Sequence, residues 1–205
     1  MAEKPPELVK MKIPRKLWGG LGNSMFQHAY ILAQKKKGEI PDIYLQDEKY
    51  FENCKDEIKQ IYGEGIVPSN YVSLHIRRGD YVNNSFYVDL TQTDYYDKAI
   101  AEFPDRKFLV FCADRQTGSD DVSDQEWCME WLEANFGKRF KLFKGFDAIS
   151  DMNNMAGCNG HIGANSSFSW WASYLGEGKV VMPSNDNWHT DGVERTVCLK
   201  EWLRF

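Results

Sequence analysis

The sequence predicts an α/β fold built on a parallel sheet, and three observations carry that prediction. From residue 71 onward, strand-like runs alternate with helical patterns, as in a sheet with helices on its faces. The run Tyr71-Val72-Ser73-Leu74 leads into His75-Ile76-Arg77-Arg78-Gly79-Asp80, which puts two guanidiniums, a glycine and a carboxylate at a strand end. Near the start, the alternating residues 9–13 pass through Trp18-Gly19-Gly20-Leu21-Gly22-Asn23 into a helical pattern.

In the first helix Met25, Phe26, Ala29, Tyr30 and Ala33 share one face, and Asn23 suits the N-cap. Lys35-Lys36-Lys37 then complements the helix dipole at its end. Residues 47–62 read as one amphipathic helix with Tyr50, Phe51, Cys54, Ile58 and Ile61 inward, and residues 63–70 as a linker. Strands are predicted over 71–76, 107–112, 139–144, 160–164 and 179–182. Helices are predicted over 93–103, 124–136, 148–156 and 167–175. Residues 194–205 are expected as a closing helix, with Val197, Leu199 and Trp202 apolar. The expected division is a short N-terminal part, residues 1–66, and a nucleotide-binding part, residues 71–205. The short part buries little core alone and must lean on the larger part or on a second subunit.

Composition narrows the function classes. A chain of 205 residues with 42% hydrophobic content is globular, and a net charge of −5 gives no reason to expect nucleic acid or an anionic membrane as partner. The five cysteines are odd in number, scattered and without a CxxC pair, as in a reducing compartment. The four histidines have no metal-ligand spacing, so no metal is expected. No signal peptide or spanning segment is evident, and the expected location is cytoplasmic.

Two segments point to a site. Arginine is the planar fork suited to phosphate oxygens, and open α/β sheets bind ligands at the carboxyl ends of strands. His75 to Asp80 is therefore either a diphosphate clamp or a solvated turn whose arginines pair with nearby acids. The stretch Ile162-Gly163-Ala164-Asn165-Ser166-Ser167-Phe168-Ser169-Trp170-Trp171 reads as strand, polar turn and helix start, with Ser or Asn capping a helix whose first N–H groups face an anion. Trp170 and Trp171 are expected in the core.

Gly19 to Gln27, His75 to Asp80 and Asn165 to Trp171 together resemble the α-1,2-fucosyltransferases, glycosyltransferase family 11. Gln46 to Phe51, Tyr95-Tyr96 with Ala99, and Asp151-Met152 with Met155 and Cys158 follow in the same order. The chain departs from the family at Ser24, at His28 and in Phe111-Cys112-Ala113-Asp114, where one acid of an acidic pair remains. It is also shorter between the glycine-rich helix and Tyr44.

The resemblance implies a GT-B-like enzyme with a nearly complete C-terminal Rossmann-like domain and a truncated N-terminal domain. It implies GDP-fucose as donor, a carbohydrate acceptor, inversion at the fucose carbon, and no cofactor or metal. With the residue chemistry, it implies that Arg77 grips the donor diphosphate and that His75 and Asp114 hold the guanosine. Asn165, Ser166, Ser167 and Ser169 would face phosphate, and Gly22 and Asn23 would close over it. Arg78 and Asp80 would pair or join the site, and Asp80 and His28 are the candidate general bases. An apolar patch around Tyr44, Tyr50 and Phe51 would favour a homodimer.

Overall fold

The structure, a computed structural model, describes residues 17, 19–34, 45–115 and 122–205. The predicted strand at 9–13 and the lysine run at 35–37 lie outside the described residues. The elements in chain order are α1 (Leu21–Ala33), α2 (Lys55–Gly63), β1 (Val72–His75), α3 (Tyr95–Ala101), β2 (Phe108–Phe111) and α4 (Asp124–Phe136). They continue with β3 (Phe140–Leu142), α5 (Ala148–Ala156), β4 (Asn159–Ile162), α6 (Ser167–Leu175), β5 (Glu177–Met182) and β6 (Leu203–Arg204).

The six strands form one parallel sheet in the order β3-β2-β1-β4-β5-β6. This is the doubly wound order, and the winding reverses between β1 and β4, where such sheets open a crevice. Every residue of β1 and β2 is buried, as parallel strands covered on both faces must be. Val72, Leu74 and Ile76 pack with α3 and α4 on one face, while α1, α2, α5 and α6 build the other core.

Local signals set the helix ends. The Ser123 and Asp147 side chains accept N-cap bonds for α4 and α5. Gly137, at φ +76°, takes up the backbone that stops α4.

The described N-terminal residues are held by aromatic packing on α6. Phe26 lies 4.7 Å from Trp170 and 4.8 Å from Trp171, both fully buried, and Phe51 stacks on Trp171 at 5.3 Å. The Trp171 indole also donates to the Gly22 carbonyl at 3.1 Å. Burial of such rings accounts for a few kcal/mol each and offsets the small size of the segment.

Four expectations are corrected. Gly20, not Asn23, is the N-cap of α1; Asn23 sits in the first turn because its amide oxygen is engaged by Ser167 and Gln46. Residues 47–62 are two 3-10 turns followed by α2, not one helix. The tighter turns shift the helical phase, so Tyr62 is buried and Ile61 is exposed. Residues 194–205 form no helix. Val197 N–H bonds the Gln46 carbonyl, Leu203 pairs with Val181, and Trp202 packs on Trp170, so sheet and loop contacts claim this backbone. Phe51 is fully buried, which removes the centre of the expected apolar patch; Tyr44 lies outside the described residues.

Candidate active site

A cavity of about 430 Å³ opens at the carboxyl ends of β1, β2 and β4. The end of β1 and the turn after it deliver residues between His75 and Tyr81, Phe111 ends β2, and Cys112, Ala113 and Arg115 follow it. Ser166 to Phe168 follow β4, and Gly20 to Asn23 enter at the start of α1.

Two helix starts meet here. A Cβ on Gly22 would lie 2.6 Å from the Phe168 nitrogen, so only glycine lets α1 approach α6 this closely. The Ser167 hydroxyl donates to the Asn23 amide oxygen at 2.8 Å and ties the two helices together. Ser166 caps α6 by accepting from the Phe168 N–H. Neither helix has an acidic residue in its first turn, so both positive dipole ends stay open to an anion.

The two arginines divide the labour. Arg78 is buried; its Nε donates to Asp124 at 2.9 Å and its guanidinium covers Trp127 at 3.7 Å. Arg77 is part exposed, pairs with Asp80 and lies over Tyr81 at 4.8 Å, and its buried Nε has no partner among the described residues. The expected Arg78–Asp80 pair is thus replaced by Arg77–Asp80. Asp124, at the start of α4, is the buried acid that captures Arg78 instead.

His75 is buried in the cavity wall, and its Nδ1 has no partner among the described residues. Burial first, and the Arg77 charge second, push its pKa down to about 3, so the ring is neutral. Tyr81 stacks on Tyr87 at 3.7 Å and donates to the Asn165 carbonyl, which fixes the wall opposite.

The structure therefore gathers Gly22, Asn23, His75, Arg77, Arg78, Asp80, Ser166 and Ser167 around one space. Four expected residues line no part of it. The Asn165 amide is spent on the Val88, Asn187 and Trp188 carbonyls, and the Ser169 hydroxyl on the 164–166 backbone. Asp114 is exposed between Ala113 and Arg115, which do line it. His28 hydrogen-bonds the Tyr62 hydroxyl at 2.9 Å, and burial lowers its pKa.

Sequence reasoning passed over Arg115, Tyr81, Tyr87 and Asp151. Arg115 carried the same signal as Arg77, an arginine just past a strand end. Asp151 carried none of its own beyond its place in a family motif. Among the described residues no cluster of three metal-ligating side chains occurs, and no helix is long and apolar enough to cross a membrane.

The family model for glycosyl transferase family 11 matches residues 9–205. The chain is 33% identical to an α-1,2-colitosyltransferase of Escherichia coli, over 73% of this chain and 56% of that protein. It is 30% identical to the O-antigen biosynthesis glycosyltransferase WbnK of Escherichia coli, over 88% of this chain and 59% of that one. It is 26% identical to galactoside α-(1,2)-fucosyltransferase 2 of Sus scrofa, over 65% and 39%. The chain spans a little over half the length of the two bacterial relatives. No solved structure matches it.

Proposed function

The chain belongs to glycosyl transferase family 11, and from that premise we propose that it moves L-fucose from GDP-fucose, with inversion, to the 2-hydroxyl of a galactose-type acceptor. The observation that supports this most is the meeting of Arg77 with the amino-terminal ends of α1 and α6 in one cavity. Charge develops on the departing diphosphate, and fixed donors aimed at that charge are the largest source of rate in such transfers. In this reading Arg77 and the first N–H groups of both helices hold the diphosphate. Arg115 adds a cation from the β2 side, and the neutral ring of His75 donates or accepts without adding charge. These groups meet the leaving charge, so we propose transfer without a metal. Diphosphate binding to Arg77 draws that guanidinium from Asp80 and leaves the Asp80 carboxylate as the proposed base for the acceptor hydroxyl. A cytoplasmic location and a homodimer complete the reading; light scattering tests the latter.

The colitosyltransferase relative favours a second donor, a nucleotide-linked colitose, which is L-fucose without its 3-hydroxyl. A donor-by-acceptor array in excess EDTA, read by mass spectrometry, tests both. Transfer from GDP-fucose to a galactose terminus is expected. Transfer from the colitosyl donor alone selects the second reading. Donor binding without turnover on any acceptor replaces both with a non-catalytic binder, and strict dependence on magnesium or manganese removes the metal-free mechanism.

A further inference from the structure

The cavity draws its lining from several strand ends at the carboxyl edge of the sheet. Residues after β1 and β4 carry Arg77 and the α6 start. Phe111 ends β2, Cys112 and Ala113 follow it, and Ala148 and Asp151 come from the first turn of α5. Asp151 stands in the first turn of α5, a helix that packs against α6 and β2.

We propose that Asp151 reads the base of the bound nucleotide, its carboxylate accepting the adjacent N1–H and N2–H groups of guanine; the inference rests on the nucleotide-sugar reading above.

Three observations carry it. Asp151 lines the cavity, yet its Oδ1 is out of solvent with no hydrogen-bond partner among the described residues. A carboxyl oxygen withdrawn from water without a donor is a cost that a ligand's N–H groups remove. The obvious structural use for an acid here is already filled, because Asp147 caps α5 by accepting from the Ser150 N–H at 2.8 Å. Finally, Gly145 makes room for this carboxyl, since a Cβ there would lie 1.8 Å from Oδ1. Burial, then the charge of Asp147, push the Asp151 carboxyl above its ordinary range, as expected of an acid short of donors. Phe111 and Ala148 supply apolar walls for a flat ring.

The choice of base follows from the acceptor. An ionised carboxylate only accepts. Guanine presents two adjacent donors on its pairing edge. Hypoxanthine keeps one, and adenine sets an acceptor where guanine has N1–H.

Calorimetry of GDP, IDP and ADP against the wild-type chain and Asp151→Asn tests this. Wild type is expected to prefer GDP over IDP, and IDP over ADP. Asp151→Asn should weaken GDP by about ten- to a hundredfold, the effect of a hydrogen bond to a charged group, and compress the preference among the three. Inorganic diphosphate should compete equally well in both proteins. An unchanged GDP-to-IDP-to-ADP ratio in Asp151→Asn overturns the assignment and leaves the nucleotide reading standing. Failure of every nucleoside diphosphate to bind wild type overturns the nucleotide reading itself. Should circular dichroism show Asp151→Asn unfolded, carbodiimide labelling of wild type decides. Protection of Asp151 by GDP but not by diphosphate supports the assignment, and equal labelling overturns it.

Discussion

The sheet carries an open cavity at each end, about 430 Å³ at the carboxyl ends of its strands and about 390 Å³ at the amino ends. The first is walled by helix starts and arginines, and it contains three buried polar atoms without partners among the described residues, on His75, Arg77 and Asp151. The second is walled by helix ends, at Gly63, Gly157 and Gly176, and Glu177 is its one charged residue among those described. Its neighbouring histidine, His161, is satisfied on both ring nitrogens by Ser73 and the Glu177 carbonyl. The two spaces hardly differ in volume. They differ in the sign of the helix dipoles and in polar groups left unspent, and these mark a ligand site where size does not.

The arginine pair gives the largest tests. Arg78→Ala should cost about 3–5 kcal/mol of stability, because it breaks a buried ion pair and removes the cation facing Asp124. A urea midpoint equal to wild type would show that this pair does not hold α4 to β1. Arg77→Ala should instead lower kcat/KM by about 3–4 kcal/mol of transition-state stabilisation, a hundredfold or more. Its exposed pair with Asp80 contributes at most about 1 kcal/mol to folding, so its melting point should barely move. Arg77→Lys should be poor too, since a point charge does not reproduce the fork. Near-normal transfer by Arg77→Ala would take this residue out of the site.

Gly22→Ala drives a methyl into the Ser167–Phe168 backbone, and about 1–3 kcal/mol of destabilisation is expected, with a parallel loss of diphosphate affinity. Retained affinity would mean that the two helix starts need not touch.

The histidines sharpen the comparison through pH. Burial holds His75 near pKa 3 and His161 near 4. The unfolded chain therefore takes up protons at these sites first, as pH falls below about 6.5. Stability is full above that value and is lost toward pH 4 and then 3, by up to about 1.4 kcal/mol per pH unit for each. Bound diphosphate should spare the His75 share by favouring its charged form, and leave the His161 share unchanged. Stability flat from pH 6.5 to 4 would contradict both assignments.

The smallest effect belongs to the amino end. Glu177→Gln should change stability by less than about 0.5 kcal/mol and leave transfer at the wild-type rate. A marked loss of activity would move the site to the other end of the sheet.

Much of the fold was legible because periodicity is local. The helices at 124–136, 148–156 and 167–175 match the predicted bounds, and each of the five predicted strands from 71 onward appears within a few residues of its expected place. The failures share one cause. In residues 47–62 and 194–205 the apolar spacing fits a helix, but distant partners fix the backbone otherwise, through 3-10 turns under Trp171 and the edge pairing of β6.

The sequence by itself determined the alternation of strands and helices, the arginines past a strand end, and the glycine and serine turns that open helices, because each rests on neighbouring residues alone. Tertiary structure decided which of those groups remain unspent. Asp124 reaches Arg78 across 46 positions, Asn165 turns to the backbone of 187 and 188, and Gly22 lets α1 meet α6 across more than 140 residues. A polar side chain becomes available to a ligand only after every competing partner in the fold has been placed, and those partners are set by packing rather than by adjacency in sequence.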